Sequence, residues 1–441
     1  MFWILKPAPI TKKLAKEEID PVYKRLRIQV FLSIFIGYAV YYFVRKNVAL
    51  AAPSMIEHGW TKTHIGFVMA SLSCAYAFSK FFMGSISDKS NPRYFLPLGL
   101  LISGLITLYV GFSDLTFGTM SLGLLTFLMF LNGWAQGMGW PPCGKTIVHW
   151  YSVSERGKTV SVWNLAHNFG GGLIANISIW GVGYFNDWQA TFYVPAGIAV
   201  ATAVVLLLTL KDKPQSCGLP PIEEFKNDYP PHFNAKLSEE DIPLKRIFTE
   251  YIFPNKFLWF IAIANAFVYL VRNGVVDWAP TYLSETKHFT FQESGWAYAL
   301  YEYAAIPGTL ICGYISDKLF KARRGPTGVI FMVLTFVSLT CYWVSTSSLS
   351  ISISLILTGL LIYGPVMLIG LHALDLVPSQ VAGTAAGFTG MFGYLIGDVL
   401  SKAIMGKVID SYGWNVYFVI LIAATLGAAL FLSFTWNQGR K

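Results

Sequence analysis

Apolar runs of about 20 residues recur along nearly the whole chain, each long enough for a helix to cross roughly 30 Å of hydrocarbon. Twelve can be counted, at 29–52, 64–87, 95–113, 119–141, 159–183, 189–210, 257–283, 294–317, 327–345, 350–374, 384–408 and 414–436. Inside a bilayer every backbone N–H and C=O must be satisfied within the protein, so runs of this length must be helical. Composition agrees. With 54% hydrophobic and 13% charged residues, a chain of 441 residues lacks the polar surface to cover a soluble globule. The expected fold class is an all-α membrane protein with 12 transmembrane helices.

A net charge of +9 invites a nucleic-acid partner, but the charges are placed for another purpose. Seven Lys/Arg lie in residues 1–28 and seven more follow the sixth run, whereas the loops on the opposite side hold only Lys62, Lys287 and Lys407. This is the positive-inside pattern, and it predicts cytoplasmic termini, with a leading segment at 1–28 and a tail at 437–441. The lipid bilayer is the expected partner and nucleic acid is not. The N-terminus has no signal-peptide layout, so the first run is expected to serve as an uncleaved insertion signal. Cys74, Cys143, Cys217, Cys312 and Cys341 are scattered without metal-like spacing. Neither a metal nor a cofactor is expected.

The longest polar stretch begins at 211 with "KDKPQSCGLPP" and reads as a cytoplasmic linker over 211–256. It separates a six-helix bundle at 29–210 from another at 257–436. Internal repetition makes these halves copies. "GSISDK" at 84–89 matches "GYISDK" at 313–318, and "YFVRKN" at 42–47 matches "YLVRNG" at 269–274, at offsets of 229 and 227 residues. Two parallel six-helix repeats are the architecture of a rocking secondary transporter, with its substrate site between the repeats. The G-x-x-S-D-K segments place Asp88 and Asp317 in short loops, followed by Arg93 in one half and Arg323 and Arg324 in the other. There an Asp can pair with a nearby Arg and hold helices together in one conformation only. Fixing topology is the plainer role open to the same charges.

A Lys or Arg at the centre of a spanning helix costs about 2.5–3.5 kcal/mol on insertion scales. Five such cations occur, Arg45, Lys46, Lys80, Arg272 and Lys402, against the acids Asp277, Glu302 and Asp398. Lys402 follows Asp398 by four residues, so these two can neutralise each other along one helix face. The remaining surplus of positive charge suits an anion. Arg45 and Arg272 are repeat equivalents, and a guanidinium fork matches phosphate oxygens bidentately. Tyr38, Tyr42 and Arg45 share one helix face at i, i+4 and i+7, and Tyr269 with Arg272 repeats the last pair. Lys46 points about 100° away from Arg45 on a regular helix, and Lys80 is close enough to the cytoplasmic side to snorkel there. In "VWNLAHNFGGG", Asn164 and His167 stand one above the other; the histidine is either a satisfied core residue or a phosphate partner. Gly170, Gly171 and Gly172 are expected to allow close helix packing. Tyr363 and Tyr394 lie inside second-half runs, and Tyr394 is the repeat counterpart of His167.

"GYAVYYFVRKN", "QGMGWPPCGKTIVHWYS", "SVWNLAHNFGGG", "PQSCGLPPIEEFKNDYP", "IYGPVMLIGLHALDLVP" and "GTAAGFTGMFGYL" together resemble the organophosphate:phosphate antiporter family of the major facilitator superfamily. The resemblance covers essentially the whole chain. It implies the major facilitator fold and a transporter, not an enzyme, that takes up glycerol-3-phosphate across a bacterial inner membrane in exchange for cytoplasmic inorganic phosphate. It further implies that Arg45, Arg272 and His167 bind substrate, surrounded by Lys46, Lys80, Tyr38, Tyr42, Tyr269, Asn164, Tyr363 and Tyr394. Asp277 and Glu302 match the family's salt-bridge positions. The pair Asp398 and Lys402 departs from the glycerol-3-phosphate members, so a sugar phosphate is an alternative cargo. An organophosphate-sensing receptor is an alternative role. Each chain holds a complete site by this reading, so a monomer is expected to function.

Overall fold

The computed structural model describes residues 5–228, 246–377 and 381–438. The middle of the predicted linker, 229–245, and the end of the predicted tail from 439 lie outside the described residues. Among the described residues, seven helices are long and apolar enough to cross a membrane, or eight if the bent pair Lys62–Lys80 and Phe82–Asp88 is one span. One of them, Thr384–Ser433, carries both the eleventh and twelfth predicted runs. Gly413 separates those runs at φ 78°, ψ 178°, a conformation open in practice only to glycine. The other predicted runs fall on shorter or more polar helices: Leu122–Gln136, Val153–Asn164 followed by Ala166–Phe185, and Phe291–Tyr314.

The first predicted run is not a continuous helix. An α-helix over Lys16–Tyr41 tightens into a 3-10 turn at Tyr42–Val44, and a second helix, Asn47–Glu57, begins after Arg45 and Lys46. The break frees backbone carbonyls that lipid could not satisfy, and polar side chains take them. Gln136 Nε2 donates to the Tyr41 carbonyl at 3.2 Å, Asn132 Nδ2 to the Val44 carbonyl at 2.8 Å, and Asn47 Nδ2 to the Phe43 carbonyl at 2.9 Å. The uninterrupted face expected for Tyr38, Tyr42 and Arg45 is therefore replaced by a bend whose backbone is tied to Leu122–Gln136.

The chain packs as two compact units. One contains the residues up to Asn47, Ala75–Asp114 and the chain from Phe127 into the polar connection. Here the connection begins as a docked strap. Thr11 N donates to the Gln215 carbonyl at 3.1 Å and Leu14 N to the Gly218 carbonyl at 2.9 Å. Tyr23 stacks on Phe225 at 4.1 Å and donates to the Pro220 carbonyl. Glu155 receives Arg27 at 2.6 Å and Lys226 at 3.6 Å. Partial burial works to raise the Glu155 carboxyl, but the two cations and the Ser152 cap together hold it below the usual range.

Within this unit Gly170 lies directly against the Ala39 carbonyl, so a methyl group there would collide with backbone. Gly170→Ala is expected to lose about 1–3 kcal/mol through overpacking, read as a lower melting temperature of the detergent-purified protein. Unchanged melting would remove the close-packing role.

The other unit contains Val48–Cys74, Leu115–Thr126 and the chain after the connection. First-half segments are thus knitted into second-half helices. Lys62 pairs with Glu285 at 2.8 Å, while the Thr63 amide and hydroxyl donate to Asp410 at 2.7 and 2.6 Å. Trp278 Nε1 ties Lys256–Lys287 to the Ser401 carbonyl at 2.9 Å.

Candidate functional site

In the first unit the bend presents Arg45 to three partners. Its Nε donates to Gln136 Oε1 at 2.9 Å, and its guanidinium lies 4.6 Å from the Tyr42 ring centre and 4.3 Å from that of Tyr76. Gln136 is wholly buried and also holds the Tyr41 carbonyl, so one amide fixes both the bend and the arginine that stands on it. Tyr38 packs against Trp163 at 4.8 Å and edge-on to Tyr42 at 6.0 Å. Lys46 is buried, at 9% exposure. Lys80 is half-buried, with its ammonium 5.5 Å from the Trp140 ring centre. Such placements over aromatic faces stabilise a cation by about 0.5–2 kcal/mol.

His167 lies just past the interruption at Leu165, with its ring 6.0 Å from Tyr42. Its Nδ1 bonds to the Asn164 carbonyl, which can only accept, so Nδ1 carries a proton. Nε2 is then an acceptor in the neutral ring and becomes a donor towards an anion only when a second proton is taken up. The Asn164 contribution is a backbone carbonyl that orients the imidazole.

In the second unit Arg272 repeats the pattern. Its guanidinium lies 4.3 Å from the Tyr363 ring centre and 5.5 Å from that of Tyr269, which packs on Tyr394 at 5.1 Å. Arg272 also donates to the Tyr363 hydroxyl at 3.2 Å, and that hydroxyl donates onward to Glu302 at 2.7 Å. A cation and a buried carboxylate are thereby coupled through one phenol. Tyr301 fastens the backbone beneath by donating to the Arg272 carbonyl at 3.2 Å.

Asp398 and Lys402 pair as their spacing predicts, at 2.5 Å, but the cluster is larger. Lys402 Nζ also meets Asp277 at 3.3 Å and the Ser73 hydroxyl at 2.6 Å, and all three charged residues are buried. Asp277 therefore balances Lys402. This changes the charge count: the cations deep in the first unit are Arg45, Lys46 and Lys80, with no acid among the predicted runs there. The second unit sets Arg272 and Lys402 against Asp277, Glu302 and Asp398. The positive surplus belongs to the first unit.

At the loop motifs the two halves differ. Arg324 pairs with Asp317 and, at 3.1 Å, with Asp375. Arg93 instead donates from Nε to the Leu207 carbonyl at 2.8 Å, and Lys145 caps the helix end through the Asp88 and Ser90 carbonyls at 3.0 and 2.7 Å. The Asp88 side chain is exposed.

Tyr76, Gln136, Trp140 and Tyr301 escaped the sequence reading. Tyr76 stands four residues before Lys80, and Gln136 four after Asn132 in an otherwise apolar run, so helical spacing carried a signal for two of them.

The Major Facilitator Superfamily description matches residues 34–401. The chain is 52% identical to the glycerol-3-phosphate transporter of Bacillus subtilis, with 100% of this chain and 99% of that protein aligned. It is 47% identical to the glycerol-3-phosphate transporter of Haemophilus influenzae, over 98% and 95% of the two chains. In fold it resembles a bacterial homologue of the human lysosomal transporter Spinster, at a TM-score of 0.71 and 16% identity, over 93% of this chain and 95% of that one. The chain is a multi-pass membrane protein that belongs to the Major Facilitator Superfamily and, within it, to the organophosphate:phosphate antiporter family.

Proposed function

We propose that this protein is a secondary transporter that brings glycerol-3-phosphate into a bacterial cell across the inner membrane in exchange for cytoplasmic inorganic phosphate. Both termini lie in the cytoplasm, and the halves 29–210 and 257–436 rock about a site that opens to one side at a time. The observation that carries this reading is the pair Arg45 and Arg272, equivalent in the repeat and each seated over two tyrosine rings. Two guanidinium groups so held suit a phosphate dianion, and the names of the two full-length relatives favour glycerol-3-phosphate as the cargo. His167, Asn164, Lys46, Lys80, Tyr38, Tyr42, Tyr269, Tyr363 and Tyr394 complete the substrate's surroundings, while Asp277, Glu302, Asp88, Arg93 and Asp317 serve the switch.

A ligand moves a two-state protein only by binding the favoured state more tightly. Empty, the protein would have to close on the surplus positive charge carried by Arg45, Lys46 and Lys80; a phosphate or phosphate ester offsets that charge, so loaded crossings outrun empty ones and exchange outruns one-way flow. Contacts such as Lys62 with Glu285 then hold one side closed in one of the two states. A single chain suffices.

Counterflow in proteoliposomes tests the proposal. Vesicles preloaded with inorganic phosphate should accumulate labelled glycerol-3-phosphate, unloaded vesicles should not, and sugar phosphates should compete weakly. Failure to exchange any organophosphate would overturn the transporter reading and leave the membrane sensor.

A further inference from the structure

On the basic face of the first unit two cavities adjoin. One, of about 470 Å³, is lined by Lys6, Thr11, Arg93, Lys211, Asp212 and Ser216, with Tyr94 at its edge. The other, of about 140 Å³, presents Tyr94, Pro97, Leu101, Val204 and Leu207 and has no polar lining. Tyr94 belongs to both, and the Arg93 bond to the Leu207 carbonyl ties their walls together. The upper wall is built from three distant segments. The Ala8 amide donates to buried Asp212 at 2.8 Å, the Thr11 amide to Gln215, and Trp150 Nε1 to the Asp212 carbonyl at 2.9 Å. Asp212 is therefore engaged by the leading segment, and three cations face the basic cavity with it. The apolar cavity opens where Val204 is 53% exposed, on the surface of a helix that spans the membrane.

A basic pocket continuous with an apolar groove, at the boundary where the third and sixth runs leave the membrane, has the two-part chemistry of an anionic phospholipid. We propose that this is a site for such a lipid in the adjoining leaflet, its phosphate among Lys6, Arg93 and Lys211 and part of an acyl chain against Pro97, Leu101 and Val204. A cavity of about 150 Å³ holds a benzene-sized group, so the groove takes a short stretch of chain and leaves the rest in the bilayer. The charges act through three residues that topology alone would not gather around one hollow. Each should strengthen retention of an anionic over a zwitterionic headgroup by about fivefold.

Native mass spectrometry of the full-length protein, titrated in detergent with dioleoyl phosphatidylglycerol or dioleoyl phosphatidylcholine, tests this. Phosphatidylglycerol should be retained on the order of 100-fold more tightly. Lys6→Gln with Lys211→Gln should reduce that preference by roughly 25-fold while leaving the Arg93 bond to Leu207 intact. Val204→Trp should weaken retention of phosphatidylglycerol without any change of charge, by occupying the groove. Equal retention of the two lipids, or an unchanged preference in the double variant, would overturn the proposal. So would full displacement of phosphatidylglycerol by inorganic phosphate together with indifference to Val204→Trp, since that pattern belongs to a site for the free ion.

Discussion

Lys402→Met should destabilise the protein by about 3–5 kcal/mol, the cost of removing one partner from a buried ion cluster. Lys402 is the shared counter-ion of Asp277 and Asp398, which are 0% and 6% exposed. Without the ammonium, two buried carboxylates lose the cation they share, and the Ser73 hydroxyl loses the group it accepts from. Methionine matches the length of lysine, so the deficit measures charge and not a cavity. The expected result is a much reduced melting temperature and yield in detergent. Adding Asp277→Asn and Asp398→Asn to the same chain should recover most of the loss, because an apolar or neutral replacement of a whole buried cluster is often tolerated. A single variant as stable as the parent would sink the account.

Arg272→Lys should lower the kcat/KM of phosphate-coupled uptake by about 10- to 150-fold, the equivalent of a hydrogen bond to a charged group at about 1.5–3 kcal/mol. The side chain keeps its charge, so the effect isolates geometry. A guanidinium can lie over Tyr363, donate to its hydroxyl and still present parallel N–H groups to a phosphate, whereas an ammonium is a point donor. Arg45→Lys should behave alike, with the added loss of the Nε bond to Gln136. Unimpaired counterflow in either variant would remove the two-arginine grip, whatever the cargo.

Hydropathy alone located the seven or eight long apolar helices found among the described residues, because a run of about 20 apolar residues has one stable form in lipid. It could not show the bend at Tyr42–Val44, which depends on Asn132 and Gln136 being present to take the freed carbonyls. Those partners lie 88 and 95 residues away from the carbonyls they donate to. Local spacing served well where both partners share a turn: Asp398 with Lys402 was legible at i, i+4. Asp277 joins the same ammonium from another helix, so no local pattern announced it. The repeat gave Arg45 and Arg272 as equivalents, yet the rings beneath them come from different positions, Tyr76 in one unit and Tyr363 in the other.

The bend also has a consequence for how the chain is made. Arg45 and Lys46 each oppose insertion at a helix centre by about 2.5–3.5 kcal/mol, while a Leu, Ile, Phe or Val favours it by only about 0.3–0.6 kcal/mol. The amide that receives Arg45 comes 91 residues later, at Gln136. At about 5–20 residues per second, the ribosome delivers it roughly 5 to 20 s after the arginine. Throughout that interval the arginine is in the chain before the amide that fixes it has been made.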